Sequence, residues 1–583
     1  MSQVAEAEPA ARAAPAGGRA ERLVLLARSP RAPTVVFAVL AALAAILILL
    51  AGRGTIFFFD EWNFVLDRRG WSVSTLLDPH EGHLVLVPVL IYKALFGLVG
   101  LQPYWPYRVV DLSLHLACAA LIYAIVRRRL GGWAAVGVAA LVLFLGSAWE
   151  VLLWPFQIAY LGALVAGLGA WLVLQEPGRG RDWAGALLLL IALASSGVGV
   201  PIALGVLVAL LLVEAARRRA WVAVGPLVLY GIWLLADGLQ HPASAGGVKL
   251  ANLPDAPAFM AKMAAAGAGG IAGIGLDWGQ VLLALLVVLV VARIARHALT
   301  PWLTAALVMA LSFWALTALG RAQVGDPQAP RYIYPTAVFL LLALVELPVA
   351  AGRARLAWGP AACAMAVLAV AFAALGNSAS LRDGGRTLRD ATNAVMPALA
   401  AVELGGNTVA ADYRVEPTKA PQITAARYLA TVRDLGSPLP TGLIGQLRPP
   451  NNAATIDGRI LPAERIGLSP RAPTPAATAP AIVQRVNGAA QPDGAGCLRF
   501  APTRVPSALD LRVAPGATLA VTNAGRPPVQ LRTRRFGPDF PTDALGEVPA
   551  GQSRSIAFPR DKSGAPWIVR VSPAQPVVAC LAG

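Results

Sequence analysis

Long apolar runs dominate the first two-thirds of this chain, and short alternating segments fill its end. Runs approaching or reaching bilayer-crossing length lie at 34–51, 108–126, 132–148, 158–174, 182–196, 198–213, 221–238, 278–295, 301–319, 335–350 and 357–376. A hydrocarbon core about 30 Å thick takes about 20 residues of helix, so each run predicts a spanning helix. A further apolar run, His83–Gly100, carries Pro88 and Lys93.

Basic residues orient these runs, because Arg and Lys clusters stay on the cytoplasmic side. The clusters are the leader through Arg31, Arg127–Arg129, Arg179/Arg181, Arg217–Arg219, Arg293/Arg296 and Arg353/Arg355. If His83–Gly100 crossed, Arg127–Arg129 would fall outside and every later cluster would invert. If it does not cross, all six clusters lie inside. We therefore read His83–Gly100 as a helix in the outer interface. The N-terminus is then cytoplasmic, and the external loops are 52–107, 148–157, a turn near 195–201, 239–277 and 320–334. Loop 239–277 holds the Gly/Ala-rich stretch Ala264–Gly275, read as a mobile loop or an interfacial segment.

The polar, Ala/Arg/Pro-rich stretch 1–33 reads as a disordered cytoplasmic leader. No cleavage site follows the first apolar run, so 34–51 reads as a retained helix. Beyond Asn377 the chain has ordinary soluble character. Residues 377–469 form a mixed segment, and 470–482, containing PRAPTPAATAP, a Pro/Ala-rich linker. Within 483–583 come alternating segments Ala508–Val513, Thr518–Thr522, Val529–Thr533, Ser555–Phe558 and Trp567–Val571, punctuated by Gly and Pro. This pattern predicts a β-sandwich-like domain. The expected fold class is a mainly α membrane bundle of about eleven spans plus interfacial helices, with a C-terminal extracytoplasmic β-rich domain.

Composition supports this division. Hydrophobic residues make up 57% of the 583 and charged residues only 14%, far below the usual charged share of a soluble domain. The net charge of +17 is almost all arginine, since the lysines are Lys93, Lys249, Lys262, Lys419 and Lys562. Arg- and Ala-rich, Lys-poor usage fits a high-GC bacterial source. The basic clusters sit between apolar runs, so they mark topology and no nucleic-acid partner is expected. Cys118 and Cys363 lie in apolar runs and read as inert packing residues. Cys497 and Cys580 bracket the β-rich segment, where an external location permits a disulfide; two free thiols are the alternative. With no CxxC or Cys/His cluster, no structural zinc site is expected.

The first external loop holds the most chemistry. Phe57-Phe58-Phe59 is followed at once by Asp60-Glu61-Trp62. Adjacent carboxylates at a membrane surface suffer mutual repulsion and low dielectric, which raises a pKa and suits a general base or a metal ligand. The plainer alternative is a solvated helix cap behind an aromatic belt. His80, Glu81 and His83 follow; they can ligate a divalent ion with Asp60, hydrogen-bond a polar substrate, or cap the next helix. Their spacing is not that of a helical HExxH site.

In the second loop, Trp154 fits either the membrane interface or stacking on a sugar, and Glu150 and Gln157 can bond hydroxyls. The turn Ser195–Gly199 offers small residues and free amides as a weak anion nest. In the late loop, Arg321 and Arg331, followed by Tyr332, oppose the positive-inside trend. An anionic phosphate at the outer surface accounts for them, with lipid headgroups as the simpler partner.

The layout resembles the GT-C superfamily of integral-membrane glycosyltransferases. The resemblance covers 34–376 and rests on a first helix ending in the acidic pair Asp60-Glu61 and a long external loop with the helix His80–Gly100. It continues through a second span, Arg108–Val126, ending at Arg127–Arg129, and a late Arg331-Tyr332 element. The His-Pro-Pro element of some members is absent; His83–Pro88 occupies its place.

The resemblance implies a polyprenyl-phosphate-linked sugar donor and inverting transfer to a glycan or glycolipid acceptor of the cell envelope. Asp60 and Glu61 would be the catalytic carboxylates. His80, Glu81, His83, Glu150, Trp154, Gln157, Arg321, Arg331 and Tyr332 would bind substrate or phosphate. A divalent cation, Mg2+ or Mn2+, held by Asp60, Glu61 and His80, would assist. Two other classes remain: a non-enzymatic transporter or flippase of lipid-linked sugars, which predicts ionisable residues such as Asp111 and His115 along a path across the bilayer, and a structural envelope protein.

Overall fold

Within the described residues the apolar runs fold mainly as helix, since a backbone in hydrocarbon must satisfy its own hydrogen bonds. In the computed structural model the described residues are 29–239, 247–275, 277–350, 360–440, 450–470, 479–494, 496–540 and 545–582. The cluster Arg353/Arg355 and most of the expected leader and linker lie outside them.

The chain enters the bundle through α1 (Ala32–Ala51). The first loop carries the short helices α2 (Glu61–Asp67) and α3 (Val73–Leu77), then α4 (Leu86–Val99). The helices α5 (Trp105–Leu130), α6 (Gly132–Leu143), α7 (Trp149–Leu153), α8 (Ile158–Leu174) and α9 (Arg179–Ser195) follow. Next are α10 (Gly199–Leu212), α11 (Trp221–Trp233), α12 (Ala256–Ala272) and α13 (Gly279–Ala295). The bundle closes with α14 (Pro301–Arg321), α15 (Pro330–Ala350) and the first part of α16 (Pro360–Gly405). Among the described residues, eight helices are long and apolar enough to cross a membrane, and α4, α10 and α13 are shorter apolar helices. The chain is a multi-pass membrane protein.

The helix end carrying Arg127–Arg129 meets the start of α1 and the end of α15 at one pole. Arg127 at the end of α5 donates to Thr34 at the start of α1. Arg129 pairs with Glu346 near the end of α15 at 3.0 Å, and Arg219 pairs with Asp182 at 2.7 Å. The loops bearing Asp60, Glu81, Glu150 and Arg321 lie at the other ends of these helices. Helix α4 stays at that second pole. Gly100, just past its end, lies against the Leu435 carbonyl of the C-terminal part, while Glu81, just before its start, pairs with Arg321. Fourteen residues of helix span only about 21 Å.

Three expectations are corrected. Ala264–Gly275 is no loose or interfacial segment, because α12 carries it into the core, with Ala264, Ala265, Ala266 and Ala268 buried. Its small residues permit close helix approach; a Cβ on Gly267 would sit 2.2 Å from the Thr336 methyl. Asn377 does not begin a separate segment, since it falls inside α16, whose 46 residues extend about 69 Å. Its buried amide donates to Gly270 and Ala373 carbonyls at 2.8 and 3.0 Å and accepts from Ser147 N–H at 2.7 Å. Cys118 is buried as expected, whereas Cys363 is exposed on the face of α16, in keeping with a helix surface that meets apolar surroundings.

Beyond α16 come the hairpin β1 (Arg414–Glu416) and β2 (Ala420–Thr424), then α17 (Ala425–Leu435) and α18 (Pro450–Ala463). The final domain has strands β3 (Ala481–Val486), β4 (Gly488–Pro492), β5 (Cys497–Pro502), β6 (Ala508–Val513), β7 (Thr518–Asn523), β8 (Val529–Arg534), β9 (Gly546–Val548), β10 (Ser553–Ala557), β11 (Trp567–Ser572) and β12 (Val577–Ala582). They form two five-stranded sheets, ordered β10-β7-β12-β5-β4 and β3-β6-β11-β8-β9. Alternating residues such as Leu509, Leu511 and Val513 turn into the core. Cys497 and Cys580 form a disulfide directly across the β5–β12 pair.

This C-terminal domain is joined to the first loop. Phe57, Trp62, Phe64 and Tyr92 share one apolar cluster with Leu399, Tyr428 and the sandwich core. Asp457 of α18 accepts the backbone N–H groups of Arg535, Phe536 and Gly537 at 2.9, 3.0 and 2.9 Å, fixing the sandwich to the helical part.

Candidate functional site

The acidic pair divides. The N-cap Asp60 and the first helical residue Glu61 follow Phe59, whose φ of 42° is left-handed. That turn sends the two side chains into different surroundings.

Glu61 is fully buried. Its carboxylate accepts the Tyr92 hydroxyl at 2.5 Å, the Tyr104 hydroxyl at 2.9 Å and the Phe58 N–H at 3.0 Å. Burial pushes its pKa up to about 7, against the lowering effect of these hydrogen bonds. Tyr92 and Tyr104 were not picked out from sequence; as tyrosines among apolar residues they carry no signal before the fold brings them to Glu61.

Asp60 is half-buried. Its pKa is raised to about 6, first by burial and next by the Glu81 carboxylate, while Arg331 and Arg321 pull it down and Glu150 adds a smaller upward push. The charges that act on Asp60 therefore come from three loops: Glu81 from the first, Glu150 from the second, and Arg321 and Arg331 from the two sides of the late one. Within the group, Arg331 bonds Glu150 at 3.0 Å and Arg321 approaches Glu81 at 3.6 Å. The Arg331 guanidinium also lies over the Tyr332 ring, 5.0 Å from its centre.

The position of Glu81 follows from a tight turn. His80 and His83 exchange backbone hydrogen bonds of 3.0 and 2.9 Å, and both central residues have positive φ, Glu81 at 49° and Gly82 at 78°. This is the type I′ pattern, which favours Gly at the second position and strains a side-chain residue at the first. Both imidazoles are packed into the fold, within electrostatic reach of Glu81 and Arg321. His80 makes edge contacts with Phe64 and Phe156, with ring centres 5.7 and 5.1 Å away. His83 packs on Gly197, where a Cβ would lie 2.6 Å from Nδ1. The turn Ser195–Gly199 is thus filled by His83 and offers no open anion nest. Burial is the main cause that lowers both histidines to about 4, so they are neutral at pH 7.

Trp154 and Gln157 are buried beneath the site. The Trp154 indole donates to the Phe58 carbonyl at 3.1 Å and stacks on Phe156; Gln157 is 2% exposed and Tyr332 4%. They support the site's floor and present little surface to a substrate.

The metal set Asp60, Glu61 and His80 is not gathered. Glu61 is occupied by two tyrosines and His80 by two phenylalanines. Among the described residues no group of three or more His, Cys, Asp or Glu is disposed to hold a metal ion. These residues do not fit the divalent cation expected from sequence, and no step is routed through one.

Fold and site together define a multi-pass membrane protein with a charged cluster at one pole and a C-terminal β domain. No family model and no curated protein matches the chain. Among solved structures it is similar to ArnT from Cupriavidus metallidurans bound to undecaprenyl phosphate, at 15% identity and a TM-score of 0.42, covering 69% of this chain and 85% of that one. It is also similar to the arabinosyltransferase EmbB from Mycobacterium smegmatis, at 12% identity and a TM-score of 0.34, covering 94% of this chain and 64% of that one. These are likenesses of general layout.

Proposed function

We propose that the protein is a GT-C-type membrane glycosyltransferase that moves a sugar from a polyprenyl-phosphate donor to a glycan or glycolipid acceptor of the cell envelope, on the outer face. The observation that carries this reading is the pairing of Arg321 with Glu81 and of Arg331 with Glu150, within electrostatic reach of Asp60 at one pole of an apolar bundle. A base with a pKa near 6 is ionised at neutral pH and can take the proton of an acceptor hydroxyl as it attacks the anomeric carbon. The bond from that carbon to the phosphate oxygen breaks, and the phosphate leaves with its lipid and gains charge. Arg321 and Arg331 stabilise that charge. In the free protein Glu81 and Glu150 hold the two guanidiniums in place, and a phosphate competes with them for the same N–H groups.

One feature speaks against a transport path. Asp111 and His115 are 2% and 1% exposed, and His115 bonds the Tyr334 hydroxyl at 2.8 Å. They are closed into helix packing.

The test is transfer by the full-length protein in lipid nanodiscs from a panel of polyprenyl-phosphate pentoses and hexoses, comparing wild type with Asp60→Asn. Transfer that Asp60→Asn abolishes supports the reading. Full activity in that variant, or no transfer from any donor by the wild type, removes it.

A further inference from the structure

The segment between α1 and α3 is strapped to the C-terminal part along its whole length. Arg389 of α16 donates to the Ala51 carbonyl at 2.7 Å, and Thr392 accepts the Ile56 N–H at 3.3 Å. At the far end Arg427 of α17 pairs with Asp67, and Asp434 with Arg69. Between them, Gln422 of β2 donates its side-chain amide to the Phe59 carbonyl. Strand β2 packs on α2, and its neighbours Ala420 and Ile423 are fully buried, which fixes where Gln422 stands.

That contact falls on the peptide just before Asp60. Phe59 has a φ of 42°, a region that an aromatic L residue occupies only where its surroundings hold it. Its carbonyl also receives the Trp62 N–H at 3.0 Å, the first turn of α2. The preceding carbonyl, of Phe58, receives the Trp154 indole from the bundle. The two peptides ahead of Asp60 are thus held from opposite sides, one by the bundle and one by the C-terminal part.

We infer that Gln422 is a positioning residue for Asp60, so that the C-terminal part completes the site rather than only receiving an acceptor. The inference rests on the reading of Asp60 as the base. Without the Gln422 bond, Phe59 relaxes toward ordinary backbone angles and carries the Asp60 carboxylate away from Arg321 and Arg331. Misplacement of a reacting group by about 1 Å lowers rate by about 100-fold, and partial relaxation by less.

The experiment compares Gln422→Ala, Gln422→Glu and Gln422→Lys in the full-length protein, using the same donor panel and amide hydrogen exchange. Glu lacks the N–H donor, whereas Lys keeps one. The expected result is a kcat lower by about 10- to 100-fold for Ala and Glu, with donor KM nearly unchanged and partial recovery in Lys. Exchange of the Glu61, Trp62 and Asn63 amides should quicken in Ala and Glu while the sandwich amides keep their protection. Unchanged kcat and unchanged exchange in Gln422→Ala, with Asp60→Asn inactive, would overturn this inference and leave the proposed function standing. A rise in KM alone would also overturn it, marking Gln422 as a substrate contact. If Asp60→Asn stays active, the proposed function fails first, and unchanged exchange would then remove the hold on Phe59 as well.

Discussion

Asp60 and Glu61 are neighbours with the same functional group, yet they belong to different regions. Asp60 faces the pole of the bundle, where two arginines and two further carboxylates act on it. Glu61 faces the apolar cluster shared with the C-terminal domain, where two tyrosine hydroxyls and a backbone N–H close over it. The difference teaches that an acidic pair at a helix start is not one unit. A buried carboxylate with all its partners supplied by the fold is an anchor, and a half-buried carboxylate among ionic groups is placed to meet a substrate.

Substitutions at the pair separate the two roles. Asp60→Asn keeps the shape and removes the base, so transfer should fall by about 100- to 10,000-fold with no change in melting temperature; an equal loss from Glu61→Gln would erase the distinction. Arg331→Ala removes a charge from the departing phosphate and should lower kcat by about 100-fold, with Arg331→Lys recovering part of it; kinetics on the two variants settle this.

The pH profile of transfer reads the same contrast. Asp60 must be ionised, so activity should rise through about pH 6 and level above it. Glu81 raises the Asp60 pKa and Arg331 lowers it. Glu81→Gln should therefore move the midpoint down and Arg331→Ala move it up; movement in the opposite senses would contradict the grouping. The smallest activity effect is expected at Glu61. Glu61→Ala leaves two hydroxyls and an N–H without their acceptor, at about 1–3 kcal/mol of stability for each such buried group, visible in thermal melts. Glu61→Gln should cost less.

Much of this was legible along the chain because period and charge are local properties. Alternation found strands β6, β7, β8, β10 and β11. Basic clusters held His83–Gly100 at one pole, and α4 has both ends there. The same patterns failed where packing decides. Ala264–Gly275 looked loose because small residues carry little hydrophobic signal, although smallness is what admits α12 to the core. Asn377 looked like a boundary because it is polar; three hydrogen bonds make it a clamp within a continuous helix.

The candidate site divides in the same way. The sequence alone determined which charges are misplaced: a carboxylate pair beside an aromatic belt, and Arg321 and Arg331 against the positive-inside trend. Such signals survive without a fold because the bilayer imposes them on every segment separately. Only the tertiary structure decided which of the residues meet. It set Asp60 among Glu81, Glu150, Arg321 and Arg331, turned Glu61, His80 and His83 into packing, and brought Gln422 from more than three hundred residues away onto the Phe59 carbonyl. Those choices depend on side-chain directions fixed by turns and long-range contacts, which no local pattern encodes.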